Sequence, residues 1–369
     1  MIDLSLLDPA QLSTAAQRAL GPGPGRMMAS KGMLPLPPAD QVAVLYQLHL
    51  DADASIAGAA RATGASLPEK LLTGTLADPT LDPRVLHFFG TIAADKQNVF
   101  DAIALNPSVD DTTLAMLAAK GDARGVDQLA QNERRLLRHP EIIAAMYMNR
   151  RARMSTIDRV VELAVRNHVR VPGLAAWDEV ARALTGAAPA DSKVDAVFDQ
   201  VVDKLTVDDT ALTTGDANQA LAEKDHEIKD EEKEVPFGEL PIPAQIRIAT
   251  LGNAVARGKA IRSAVKIVAL AAIKSPGVTE IEAARYAGNP GLGEDVIRHI
   301  AAKREWTKLY GVKVALCRNP KTPISESTKL MPFLRERDLQ AVGSSRGIPS
   351  AVVSQAKKLM MQRRGGGNK

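Results

Sequence analysis

A short phrase recurs along this chain: an Ala-rich apolar turn, then Asn, Asp or Ser followed by Pro, then a polar stretch and another apolar turn. It occurs at Asp78-Pro79, Asn106-Pro107, Ser275-Pro276, Asn289-Pro290 and Asn319-Pro320, with degenerate forms at Asn132-Glu133 and Ile348-Pro349. Proline presets φ for the first turn of a helix, and the Asn, Asp or Ser before it is expected to cap that helix or shape the turn. The chain therefore reads as stacked helical units, which bury their apolar faces only against neighbours and offer extended binding surfaces. The step between phrases is 28 residues from Pro79 to Pro107, then 30 and 29 from Pro290 through Pro320 to Pro349. That is looser than an ankyrin or tetratricopeptide array.

Composition supports the same class. The chain has 369 residues, 45% of them hydrophobic, enough for a core, yet aromatics make up only 3%. Close packing of short Ala-, Leu- and Val-rich helices accounts for this better than a β-sandwich does. The fold class is all-α. A single cysteine, Cys317, excludes an internal disulfide framework and a Cys-rich zinc site, and fits a reducing, cytoplasmic setting. The N-terminal residues lack the pattern of a signal peptide, and the longest apolar window, Ile261 to Ile273, carries Arg262 and Lys266, so no membrane span is expected.

The net charge of +4 conceals an asymmetry. From Pro236 onward about 23 Lys and Arg face about 9 acids, near +14, which leaves residues 1–235 near −10. Five segments follow. Residues 1–39, with Gly21-Pro22-Gly23-Pro24-Gly25, are expected as an irregular arm. Residues 40–186 form a helical array, and 187–235 an acidic linker in which Val194, Phe198, Val201, Val202 and Leu205 could make one amphipathic helix. Residues 236–362 form a basic helical array, in which Thr279 and Glu282 have capping-box spacing, and 363–369 a flexible tail.

The phrases Ile103-Ala104-Leu105-Asn106-Pro107-Ser108 and Leu316-Cys317-Arg318-Asn319-Pro320-Lys321-Thr322-Pro323 resemble the repeat of leucine-rich-repeat-variant and HEAT-like proteins. The stretch from Val265 to Leu359, notably Ala269 to Pro276 and Arg304-Glu305-Trp306-Thr307-Lys308, also resembles an uncharacterised bacterial helical-repeat family. These resemblances imply an α-solenoid in two arrays and carry no activity with them. Some leucine-rich-repeat-variant proteins hold an iron–sulfur centre on clustered cysteines; with one Cys, this chain is not expected to.

No catalytic constellation stands out. The segment from Gly252 to Ala260 imitates a phosphate loop but has five residues between its glycines and Ala260 where a metal-binding hydroxyl belongs, so it reads as a turn between helices. His49, His87, His139, His168, His226 and His299 are scattered without metal-ligand spacing, and Asp110-Asp111 and Asp208-Asp209 are adjacent acids that diverge on a helix. Catalytic residues, metal and cofactor are therefore expected to be absent. Two basic sets are candidate partner sites. The first is Lys303, Arg304, Trp306, Lys308, Tyr310, Lys313, Arg318 and Lys321, with Trp306 and Tyr310 expected on one helix face. The second is Arg134, Arg135, Arg138, Arg150, Arg151 and Arg153, suited to acidic peptides or to the acidic linker in cis. The expected function is a noncatalytic scaffold for another protein; the alternative is nucleic-acid binding by the basic C-terminal half.

Overall fold

Eight α-helix starts among the described residues are set by side chains that accept the first free N–H groups, while others, such as those after Pro37 and Pro241, have no side-chain cap. Ser13, Asp53, Asp82, Asp110, Asp122, Asn132, Asn253 and Thr279 each accept from a backbone N–H of the following first turn. Thr279 and Glu282 complete the reciprocal capping box. In the computed structural model, which describes residues 4–185, 192–204 and 237–365, the chain is all-helical, with no strand among the described residues. No helix there is long and apolar enough to cross a membrane. The chain divides into two units at Gly173 and Leu174.

The first unit holds α1 (Thr14–Ala19), α2 (Pro24–Ser30), α3 (Pro38–His49), α4 (Ala54–Ser66), α5 (Glu69–Leu76), α6 (Pro83–Ile92), α7 (Gln97–Leu105), α8 (Asp111–Lys120), α9 (Ala123–Leu129), α10 (Glu133–Arg138), α11 (Glu141–Met148) and α12 (Met154–Arg166). Helices pack on neighbours one to three places along: most extensively α8 on α11 and α3 on α4, with α5 on α7, α6 on α8, α7 on α9 and α10 on α12 two places apart. The segment expected as an irregular arm is partly helical. Pro24 sits in the first turn of α2, where its missing N–H costs nothing, and Gly23 before it has φ 114°. The arm is also docked: Gln47 exchanges hydrogen bonds with the Leu7 backbone at 3.0 and 3.2 Å, and the Tyr46 hydroxyl donates to Ser5 O at 2.7 Å.

Buried asparagines join successive units. Asn106, the last residue of the α7 turn, donates from Nδ2 to Leu76 O at 2.8 Å and Asp78 O at 2.9 Å, the free carbonyls at the end of α5. Asn149, after α11, does the same to Ala118 O and Gly121 O at the end of α8, both at 2.8 Å. Each amide oxygen meanwhile accepts the N–H two residues on, from Ser108 and Arg151. Of the two roles expected, capping the next helix or shaping the turn, Asn106 and Asn149 take the second and Asn132 the first; the closing of the preceding helix by the same amide was not expected. Asp78, lacking a donor, accepts from Thr80 instead. Pro107 forces Asn106 out of the helical region, but Asn149 is equally extended before Arg150. The side-chain amide, not the proline, is the common determinant.

The second unit holds α13 (Trp177–Leu184), α14 (Ser192–Lys204), α15 (Ile242–Leu251), α16 (Ala254–Ile261), α17 (Lys266–Lys274), α18 (Glu280–Gly288), α19 (Glu294–Ala302), α20 (Arg304–Thr307), α21 (Tyr310–Arg318), α22 (Ile324–Leu330), α23 (Glu336–Ser344) and α24 (Ser350–Gly365). The boundary expected at 186 thus falls earlier. Helix α13 packs on α15 and α17, and its buried Glu179 takes the Lys274 ammonium at 2.9 and 3.0 Å. The amphipathic segment read as linker forms α14, with Phe198, Val201 and Val202 buried and the fully buried Arg247 guanidinium 4.6 Å from the Phe198 ring centre. Residues 205–236, including Leu205 and the rest of the acidic linker, lie outside the described residues.

The amide device returns here. Asn319 Nδ2 donates to Ala287 O at 2.8 Å and Asn289 O at 3.2 Å, and Ser275 Oγ donates to Thr250 O at 3.0 Å. A second polar knot lies between α16 and α18. Arg257 binds Glu282 through two 2.9 Å hydrogen bonds and Gly252 O through a third at 2.8 Å. Of the segment resembling a phosphate loop, Gly252 and Asn253 are the tight α15–α16 turn and Ala254 onward is α16 itself; a Cβ at Gly252 would stand 2.4 Å from the Ala256 Cβ.

Asn106→Ala leaves two buried carbonyls without their donor and is expected to destabilise the chain by about 1–3 kcal/mol in urea unfolding. Leu105→Ser next to it, at an exposed site, should stay within about 0.5 kcal/mol. Arg257→Met leaves the buried Glu282 carboxylate its hydrogen bonds from Thr279 and Tyr286 but no countercharge, and should cost about 3–5 kcal/mol by the same measurement.

Candidate binding surfaces

Helix α7 buries Val99, Phe100 and Ile103, which leaves Asn98, Asp101, Ala102 and Leu105 on the opposite face. Leu105 is consequently 71% exposed, an apolar side chain at a position where a polar one would be ordinary. Two grooves meet at it. One, of about 700 Å³, lies between α5 and α7 and is lined by Glu69, Lys70, Thr73, Asn98, Asp101 and Leu105 among others. Its charges are cross-linked: Asn98 donates to Glu69 at 2.5 Å, while Gln97 and Arg124 donate to Asp101 at 2.7 and 3.2 Å.

The other groove, of about 470 Å³, lies between the end of α7 and the α9–α10 corner. Leu114, Leu129, Leu136 and Ile142 supply its apolar part, and Gln128, Gln131 and Asn132 supply amides. Leu105 and Asn106 line both grooves. Both volumes fall in the range of ordinary ligand pockets. The sequence reading had quoted Leu105 within the repeat phrase but assigned it no role; the signal was its place opposite the buried stripe of α7.

The arginines singled out beside this site divide into two groups. Arg135 is held by Asp111 at 2.5 Å and also donates to Val109 O; His139 takes the other Asp111 oxygen at 2.5 Å. Arg153 pairs with Asp127 at 2.5 Å. These partners come from preceding helices, 24 and 26 residues back, so Arg135 and Arg153 are struts between helices within the first unit. Arg134, Arg138, Arg150 and Arg151 are exposed. Residues 1–173 carry 18 Lys and Arg and 18 acids, so the acidic excess of the N-terminal half lies beyond this unit.

In the second unit the expected aromatic stripe does not form. Trp306 is only 3% exposed and sits in α20, whereas Tyr310 opens α21 after an extended Leu309, so the two do not share a helix face. Lys303 lies 3.9 Å from the Trp306 ring centre, and His299 packs edge-on against it at 6.1 Å. Burial, then the Lys274 and Lys303 charges, hold the His299 imidazole below its ordinary pKa. Lys321 caps Leu292 O at 2.5 Å, and Arg304, Lys308 and Arg318 are exposed. The exposed ring is Phe333, in the turn after α22, at 65% exposure, with the Lys313 ammonium 5.3 Å from its centre. The sequence reading passed over Phe333 because a single Phe after Pro332 has no periodicity to mark it.

Among the described residues no group of three or more His, Cys, Asp or Glu is placed to hold a metal ion. Cys317 is fully buried, and desolvation pushes its thiol up to about 12. At pH 8 the thiolate is roughly one part in ten thousand, so a disulfide reagent should react with the native protein only as fast as it unfolds, and at once in guanidinium. Compared with protein-family models, with curated proteins and with solved structures, the chain matches none.

Proposed function

We propose that the chain is a noncatalytic scaffold that holds another protein, working in the cytoplasm, and that its helices form two HEAT-like, leucine-rich-repeat-variant α-solenoid arrays. The stacking of helices two apart and the amide links at steps of 28 to 32 residues support the solenoid reading. The observation that carries the binding reading is the pair of adjoining grooves sharing Leu105 and Asn106 in the first unit.

The chemistry of these grooves suits an extended peptide segment. An apolar side chain of the partner would cover Leu105 and enter the leucine-lined groove, where most of the gain comes from burial at about 25 cal/mol per Å². The amides of Gln128, Gln131 and Asn132 at the rim would meet the partner's backbone. The carboxylates of the α5–α7 groove are already engaged, Glu69 by Asn98 and Asp101 by Gln97 and Arg124, and set register more than attraction, so binding should depend little on salt.

Selection of a random peptide library on the full chain tests this. Sequences sharing an apolar anchor should emerge, bind almost equally at low and high salt, and lose at least about tenfold in affinity on Leu105→Glu, since that change places a charge against the buried anchor. Peptides without a consensus, or insensitive to Leu105→Glu, would sink the proposal.

A further inference from the structure

We propose a second, independent site in the second unit: the exposed Phe333 ring and the cations fixed around its turn form a stacking site for single-stranded nucleic acid. The turn Met331–Phe333 joins α22 to α23, with Met331 fully buried beneath it and Phe333 left outside. Three cations from three elements hold its surroundings in place. Lys313, on α21, sits 5.3 Å from the Phe333 ring centre and donates to Lys308 O at 3.2 Å. Arg363, on α24, donates to Pro332 O at 2.6 Å and Leu334 O at 2.8 Å, the carbonyls on either side of Phe333. Arg335 lies with its guanidinium carbon 4.7 Å from the Tyr310 ring centre, and its backbone N–H donates to the Tyr310 hydroxyl at 2.8 Å, while that hydroxyl donates to Asp338.

This arrangement presents an exposed ring on a turn whose flanking carbonyls are held by Arg363, with Lys313 beside the ring. The wider field agrees, because residues 308–363 carry eleven Lys and Arg against three acids. Bases stack on an exposed aromatic side chain while nearby cations take the phosphates, and an unpaired base has the free face that a duplex lacks. An acidic peptide would satisfy the cations and leave the ring idle. Insertion into a lipid layer would drag the Lys313 charge into hydrocarbon along with the ring it covers.

Fluorescence anisotropy with labelled oligo-U and oligo-dT of about 15 nucleotides, titrated with the full chain at low and physiological salt, tests the site. Binding should weaken steeply with salt. Phe333→Ala should weaken it by at least about fivefold at every salt concentration, with the salt slope unchanged, because stacking is lost and no charge is removed. Phe333→Trp should retain affinity and show indole quenching on oligonucleotide addition, which keeps the test valid if the Ala variant folds poorly. Lys313→Gln should instead flatten the salt slope. Leu105→Glu, in the first unit, should change nothing here, so this site and the peptide grooves stand or fall separately.

Absence of binding at low salt would overturn the proposal. So would a Phe333→Ala affinity equal to that of the parent chain, equal affinity for duplex DNA, or Phe333-dependent capture by phosphatidylserine vesicles or by poly-Glu in place of the oligonucleotides.

Discussion

The structure depends on a single small group, the primary amide of an asparagine at the end of a helix. A helix leaves its last carbonyls without partners, and where that end is packed against another helix water cannot supply them. Asn106, Asn149 and Asn319 each place two N–H donors on two such carbonyls in the preceding unit, and Asn106, Asn149 and Asn319 are only 2%, 4% and 3% exposed. A hydrogen bond of this kind adds modest net stability, but its loss leaves two desolvated acceptors, so the amide is hard to replace. Because the same group also accepts the N–H two residues on, it closes one helix and shapes the turn out of it in one step. Helix length, turn geometry and the spacing of neighbours are thereby coupled.

Charged struts reinforce this stacking unevenly. In the first unit Asp111 and Asp127 receive arginines from later helices at partly exposed positions, where each pair contributes little. In the second unit Arg257 and Glu282 are nearly inaccessible, with side-chain exposures of 6% and 4%, and each would be costly to leave alone. The Glu179–Lys274 pair has a topological consequence: it assigns α13 to the second unit, although its sequence follows continuously from the first.

With helix ends and inner faces committed to packing, the side chains of the outer faces are free of that role. That is why the informative residues are ones that stacking does not use. Leu105 and Phe333 are both large, apolar and exposed, and neither is explained by the core. Their settings differ in charge. Leu105 stands beside a groove whose carboxylates Glu69 and Asp101 are already hydrogen-bonded, while Phe333 stands near cations.

Much of this was legible in the sequence because it depends on local chemistry. The all-α class followed from composition and the recurrent helix-turn phrase, and the cap at Thr279 from its spacing to Glu282, whereas the caps at Asp110 and Asn253 went unread because one sat in a pair of adjacent acids and the other in a glycine-flanked segment. The Val194–Leu205 stripe marked α14 even inside an acidic stretch. The recurrence of Asn was equally visible, but the atom it serves was not, since its partners lie 28 to 32 residues back and only folding brings them within reach. For the same reason the sequence alone misplaced Trp306, which local spacing put on a binding face and packing put in the core, and missed Phe333, whose exposure depends on Met331 filling the space below it. What the sequence determined by itself is where helices begin, where they stop and which stripe each one hides. What only the tertiary structure decided is which apolar and cationic side chains remain outside once those stripes are buried, because exposure belongs to the packed assembly and not to any residue alone.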